Sequence, residues 1–138
     1  VNIDYKINQA ISAEQFADLL RRSTLGERRP VDDAECIKGM ITNSNLVITA
    51  WDGETLVGIS RSVTDFHFCC YLSDLAVDLS YQNLGIGKQL QIKTQAQLGP
   101  KCMLILLAAP AANSYYEHIG FKQNDRCWVL NRSDKINV

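Results

Sequence analysis

The chain has 138 residues, 46% of them hydrophobic and 21% charged, a balance that excludes disordered, collagen-like and coiled-coil polymers and predicts one domain, residues 1–138, with a real core. Fourteen Lys and Arg against fifteen Asp and Glu leave a formal net charge of -1, so no global field holds it on nucleic acid or an anionic membrane, and neither is expected as a partner. Cys36, Cys69, Cys70, Cys102 and Cys127 are odd in number and lack metal-ligand spacing, which predicts reduced, mostly buried thiols and no metal.

The basic group Arg21, Arg22, Arg28 and Arg29 is surrounded by Glu27, Asp32, Asp33 and Glu35 and reads as a solvated loop face. No run reaches the ~18 apolar residues of a membrane span and no export signal is evident, so the expected location is the cytoplasm.

Tyr5 and Ile7 alternate with polar neighbours as a first strand, and Ser12 with Gln15 forms a capping box for a helix whose Phe16, Leu19 and Leu20 share a face. Gly26 and Pro30 interrupt this region, and Asp32 or Asp33 can cap a second helix carrying Ile37, Met40 and Ile41. Residues 46–51, then Asp52-Gly53, then 55–64 predict a hairpin, with glycine supplying the positive φ of a tight turn. Residues 71–77 read as the next strand. Residues 87–98 predict a helix burying Leu90, Ile92 and Ala96. The nearly all-apolar segment 103–108 predicts a central strand covered on both faces. Pro110 closes it, 111–118 reads as a short helix, Gly120 is its left-handed stop, and Phe121 and 127–130 supply one or two final strands.

Gln82-Asn83-Leu84-Gly85-Ile86-Gly87 lies between a predicted strand and a predicted helix. Backbone amides converge at such a turn, and the helix N-terminus adds favourable potential for an anion. Gly85 and Gly87 leave room for a pyrophosphate and permit positive φ. Taken alone, the hexapeptide also fits glycines that only allow a tight turn. The three-glycine dinucleotide fingerprint is missing, and no Lys followed by Ser or Thr comes after the last glycine, as a triphosphate loop requires.

Leu75-Ala76-Val77 followed by Tyr81 to Lys88 resembles the main acetyl-CoA motif of the GCN5-related N-acetyltransferases (GNAT), which reads Gln or Arg, two residues, Gly, one residue, Gly or Ala. A second block, Ala112, Tyr115-Tyr116-Glu117 and Ile119-Gly120-Phe121, is similar to the family's alanine, tyrosine and Gly-Phe segment. The resemblance implies an α/β fold of the acyl-CoA N-acyltransferase type: a twisted mixed sheet flanked by helices, its fourth and fifth strands splayed around the pantetheine arm. It also implies acetyl-CoA as cosubstrate, held by Leu75, Ala76, Val77, Gln82, Asn83, Leu84, Gly85, Ile86, Gly87, Lys88, Asn113 and Tyr116. Ala109 stands where the family often has an asparagine, and Asn113, a helical turn on, is the available amide.

Acetyl transfer to an amine needs a neutral amine, a donor to the thioester oxygen and a proton for the departing thiolate. The resemblance places the oxygen donor on the backbone of Val77 or its neighbour and the proton on Tyr116, with Tyr115 as decoy. It supplies no base, because the glutamate of histone-modifying relatives falls on Tyr71. Asp74, on the same strand, is the substitute, and His67 has the intrinsic pKa for the task. Asp65, Glu117 and ordered water are further candidates.

The implied reaction is direct attack in a ternary complex on acetyl-CoA by a small-molecule amine or a protein amino group. The competing expectation is a catalytically silent acyl-CoA-binding regulatory module. The family's pairing through late strands implies a homodimer sealed by Trp128, Val129 and Leu130.

Overall fold

Five strands form one sheet in the order β1-β2-β3-β4-β5 in the computed structural model, which describes residues 1–137. The strands are β1 (Asp4–Ile7), β2 (Leu46–Asp52), β3 (Thr55–Thr64), β4 (Cys69–Val77) and β5 (Met103–Leu106). β1 to β4 pair antiparallel and β5 runs parallel to β4. The helices are α1 (Ala13–Arg22), α2 (Ala34–Thr42), α3 (Ile86–Ala96) and α4 (Asn113–His118). The chain divides into two compact units, the second beginning at Leu107. No helix among the described residues is long and apolar enough to cross a membrane.

Local chemistry sets the elements of the first unit. Ser12 accepts from the Gln15 amide, the Gln15 side chain accepts from the Ser12 amide, and Asp33 caps α2, so orphan donors at both helix starts are satisfied. Gly53, at φ 59°, turns the β2–β3 hairpin. One sheet face buries Phe16, Leu19, Leu20 and Ile37 of α1 and α2 against Val47, Ile59 and Ala76. The other buries Ile86 and Leu90 of α3 against Leu46, Ile48, Ala50 and Val57.

Four expectations change. α3 buries Ile86, Leu90, Gln91 and Thr94, leaving Ile92 and Ala96 exposed; Thr94 fits the interface because its hydroxyl meets that of Ser60 at 2.7 Å. β5 is an edge strand with Met103 and Ile105 exposed, since an apolar run does not by itself distinguish an edge from a centre. Only Cys70 of the five cysteines is fully buried.

The fourth concerns the second unit, where a 3-10 turn at Pro110–Ala112 leads into α4 and Gly120, at φ 109°, ends it. Residues 121–137 form no strand, and Trp128 is 91% exposed. High β-propensity does not make a strand without a neighbouring ladder.

Gly58 of β3 is what lets α3 lie close, because a Cβ there would meet Ile86 Cγ2 and Leu90 Cδ1 at 3.1 Å and Ala50 Cβ at 3.2 Å. Gly58→Val should therefore destabilise by about 1–3 kcal/mol through overpacking, measured by urea unfolding. An unchanged midpoint would mean that α3 is not fixed by this contact.

Candidate active site

The β4–β5 ladder runs from Cys69 opposite Met103 to Leu72 opposite Leu106, while β4 continues to Val77. Its next residue, Ser73, is extra: Arg61 pairs with Asp74 but Ser62 pairs with Leu72. Such a bulge bends its strand and increases the twist, and the parallel ladder ends there. Beyond it, no strand among the described residues pairs with the outer edge of β4. The Asp78 amide donates to Val57 of β3 at 2.9 Å, so strand alternation turns the N–H of Val77 toward that open edge.

The glycine turn follows directly. Asn83 and Gly85 take φ values of 65° and 79°, and Gly85 starts α3 in the left-handed conformation without a side-chain cap. Gln89 makes the bond to the Gly85 carbonyl, leaving the amides ahead of it outside the helix ladder. Buried Ile86 anchors the turn while Gln82, Leu84 and Lys88 face solvent. A Cβ on Gly87 would meet only Val77 Cγ2, at 3.8 Å.

Two side chains, those of Asp78 and Tyr81, fix the segment before the turn through three bonds. Asp78 accepts from Arg22 of α1 at 2.5 Å and from the Ser80 amide at 2.8 Å, and the Tyr81 hydroxyl donates to Asp52 at 2.6 Å. Burial pushes the Asp78 carboxyl up, but the Ser80 amide and the Arg22 guanidinium outweigh it and hold it below its ordinary value. Hydrogen bonding to Asp52 raises the Tyr81 phenol.

Asp74 is fully buried, and its two oxygens accept from Arg29 and Arg61, each at 2.5 Å. Arg29 also donates to the Ser73 carbonyl, and Arg61 to the Ser73 hydroxyl, Ser44 and the Met40 carbonyl. Neither oxygen faces solvent, so the geometry gives Asp74 a clamping role and not one of receiving a substrate proton. Arg22 and Arg29 are thus anchors and not members of a solvated face. Arg61 and Asp74 were visible as single charges inside two otherwise uncharged neighbouring strands, a signal for a buried pair.

In the second unit, Tyr116 is half-buried and its ring meets those of Tyr115 and Phe121 edge-on, at 5.2 and 5.5 Å between centroids. Burial, followed by Tyr115, raises the Tyr116 phenol above its ordinary value. Asn113 is exposed at the start of α4, whose cap position, Ala112, provides no side-chain bond.

A family model described as the acetyltransferase (GNAT) domain matches residues 8–131. The chain belongs to the GNAT acetyltransferase family. Solved structures agree on the fold. A GNAT-family acetyltransferase from Streptococcus pneumoniae is 23% identical at a TM-score of 0.75, covering 96% of this chain and 100% of that one. A putative acetyltransferase from Deinococcus radiodurans is 18% identical at a TM-score of 0.74, covering 94% and 88%. An aminoglycoside N-acetyltransferase in complex with CoA is 14% identical at a TM-score of 0.71, covering 96% and 95%. No curated protein sequence matches.

In this GNAT chain, His67 stands exposed on the turn from β3 to β4, and its amide donates to Asp65 at 3.0 Å. Asp65 also accepts from the amides of Phe68 and Cys69 at 2.8 and 3.0 Å. These bonds, that from Phe68 foremost, lower its carboxyl to about 2, so Asp65 organises the turn and is too acidic for a base at neutral pH. A depressed carboxyl contributes stability above its unfolded value of ~4 and loses it as pH falls through the folded one. The His67, Phe68 and Cys69 amides should therefore shift together with a midpoint near 2 in an NMR titration. A midpoint near 4 would show that the three bonds do not hold in solution.

Proposed function

We propose that residues 1–138 act as one N-acetyltransferase domain that moves an acetyl group from acetyl-CoA to a primary amine by direct attack in a ternary complex. The observation that carries this reading is the open outer edge of β4, reached from a glycine turn whose amides lie outside the helix ladder. The chain fits the cosubstrate in two respects. The turn offers backbone donors with open space at Gly85 and near Gly87, suiting a pyrophosphate. The edge of Leu75, Ala76 and Val77 offers unpaired strand groups to an amide-bearing arm. That a structurally similar aminoglycoside N-acetyltransferase was solved with CoA accords with this.

In this reading the amides of Asn83 to Lys88 bind the diphosphate and the Val77 amide donates to the thioester oxygen as charge develops there. Acetyl-CoA supplies the activated acyl group. Tyr116 is assigned the proton for the departing thiolate from the resemblance of its segment; its raised pKa keeps the phenol protonated at neutral pH, as a donor must be. With Asp74 occupied by two guanidinium groups, His67 is the side-chain candidate for receiving the amine proton, and ordered water the alternative.

Gly87→Val separates phosphate binding from folding, because its side chain meets little protein. Calorimetry should show acetyl-CoA affinity falling by ~10-fold or more, a loss of about 1.4 kcal/mol, with the melting temperature retained. Unchanged affinity would remove the diphosphate from this turn.

Tyr116→Phe should retain acetyl-CoA binding and lower turnover by roughly 10²- to 10⁴-fold, whereas Tyr115→Phe should do much less. Wild-type turnover by Tyr116→Phe, with chemistry rate-limiting, would end the assignment. Acetyl-CoA binding without turnover on any amine would favour the regulatory module.

A further inference from the structure

An apolar stripe crosses three strands on the sheet face that carries α1 and α2. Val63 of β3 pairs with Tyr71 of β4, which pairs with Ile105 of β5, and lateral partners share a face. Arg61, two residues before Val63 and so on the same side, lies 5.9 Å over the Phe16 ring of α1 and donates to Met40 of α2. Yet the helices do not cover the stripe. Val63 is 50% exposed, Tyr71 41% and Ile105 42%, with Met103, two residues before Ile105, at 55%.

The stripe's position gives it a use. One residue beyond Tyr71 and Ile105, at Leu72 and Leu106, the β4–β5 ladder ends. α3 packs on the opposite face, where Ser60, adjacent to Arg61 and so turned the other way, meets Thr94. A molecule approaching the open edge across the stripe therefore comes from the side away from α3. Alongside lie Arg29, Arg61 and Asp74, two guanidinium groups against one carboxylate, with the Arg29 side chain 21% exposed.

Resting on the acetyltransferase reading, we propose that the Val63–Tyr71–Ile105 stripe seats the acceptor, a primary amine on an apolar body of about one aromatic ring that carries no second positive charge. Three strands at ~4.8 Å spacing span about 10 Å, the length of a ring with a short linker. A protein partner would need ~800 Å² on this side, more than these few side chains offer. The excess positive charge of the arginine pair disfavours a second cation on the acceptor. Tyr71, at the middle of the stripe, is the specificity-determining residue: its ring is the surface on which the apolar body lies.

The experiment compares 2-phenylethylamine with putrescine by thiol release from acetyl-CoA, alongside NMR binding of 2-phenylethylamine in the presence of CoA. Phenylethylamine should exceed putrescine in kcat/KM by at least ~10-fold, and Tyr71→Ser should raise its KM by about 10- to 200-fold while kcat, acetyl-CoA affinity and melting temperature change little. Ile105→Asn provides a second variant with the same expected direction if Tyr71→Ser does not fold. Equal or better use of putrescine, or an unchanged KM in both variants, would overturn the proposal. So would loss in Tyr71→Ser of a dimer formed by the wild type, which would make the stripe a contact between copies. If acetyl-CoA binds but no amine is acetylated, the enzymatic reading fails separately. Saturable 2-phenylethylamine binding that Tyr71→Ser abolishes would then uphold the stripe, and absence of such binding would overturn it.

Discussion

Asp74 sits without solvent exposure between Arg29, from the segment joining α1 to α2, and Arg61, from β3. Burying a carboxylate is costly unless its charge and lone pairs are met, and removing either partner would leave a charge stranded. The two guanidinium groups meet it from different directions and spend their other donors on Ser73, Ser44 and Met40. One carboxylate thereby ties the helical layer to β3 and β4 at the bulge. The same bulge marks where β5 ceases to follow β4, so the clamp that holds the layers together also fixes the place where the sheet opens.

Much of the first unit was legible because its signals are local. Ser12 with Gln15, Asp52 with Gly53, and Gly85 before an amphipathic segment each specify backbone geometry within a few residues, and these features stand where the sequence puts them. What could not be read locally depended on partners. The buried face of α3 turns on Thr94 finding Ser60 across the sheet, so hydropathy alone selected Ile92 and Ala96 instead. β5 looks central by composition, but its exposure depends on how many neighbours it has. Residues 127–130 have the chemistry of a strand but form none. At the site, glycine spacing disclosed the left-handed turn at the head of α3, while the clamping role of Asp74 required two arginines distant in sequence. Its nearness to the open edge made it resemble a base; its pairing gives it another task.

The glycine turn is short, but the bonds that hold its approach are long in sequence: Asp78 reaches back to Arg22 in α1, and Tyr81 to Asp52 at the hairpin. Closing those loops costs chain entropy before either bond can form. A chain emerging from synthesis can therefore make the turn's local shape early, yet cannot hold it in place until the first helix and the hairpin have docked. The turn's placement is therefore a product of tertiary docking as much as of its own glycines, and loosening the first helix or the hairpin would displace it while leaving its local shape intact.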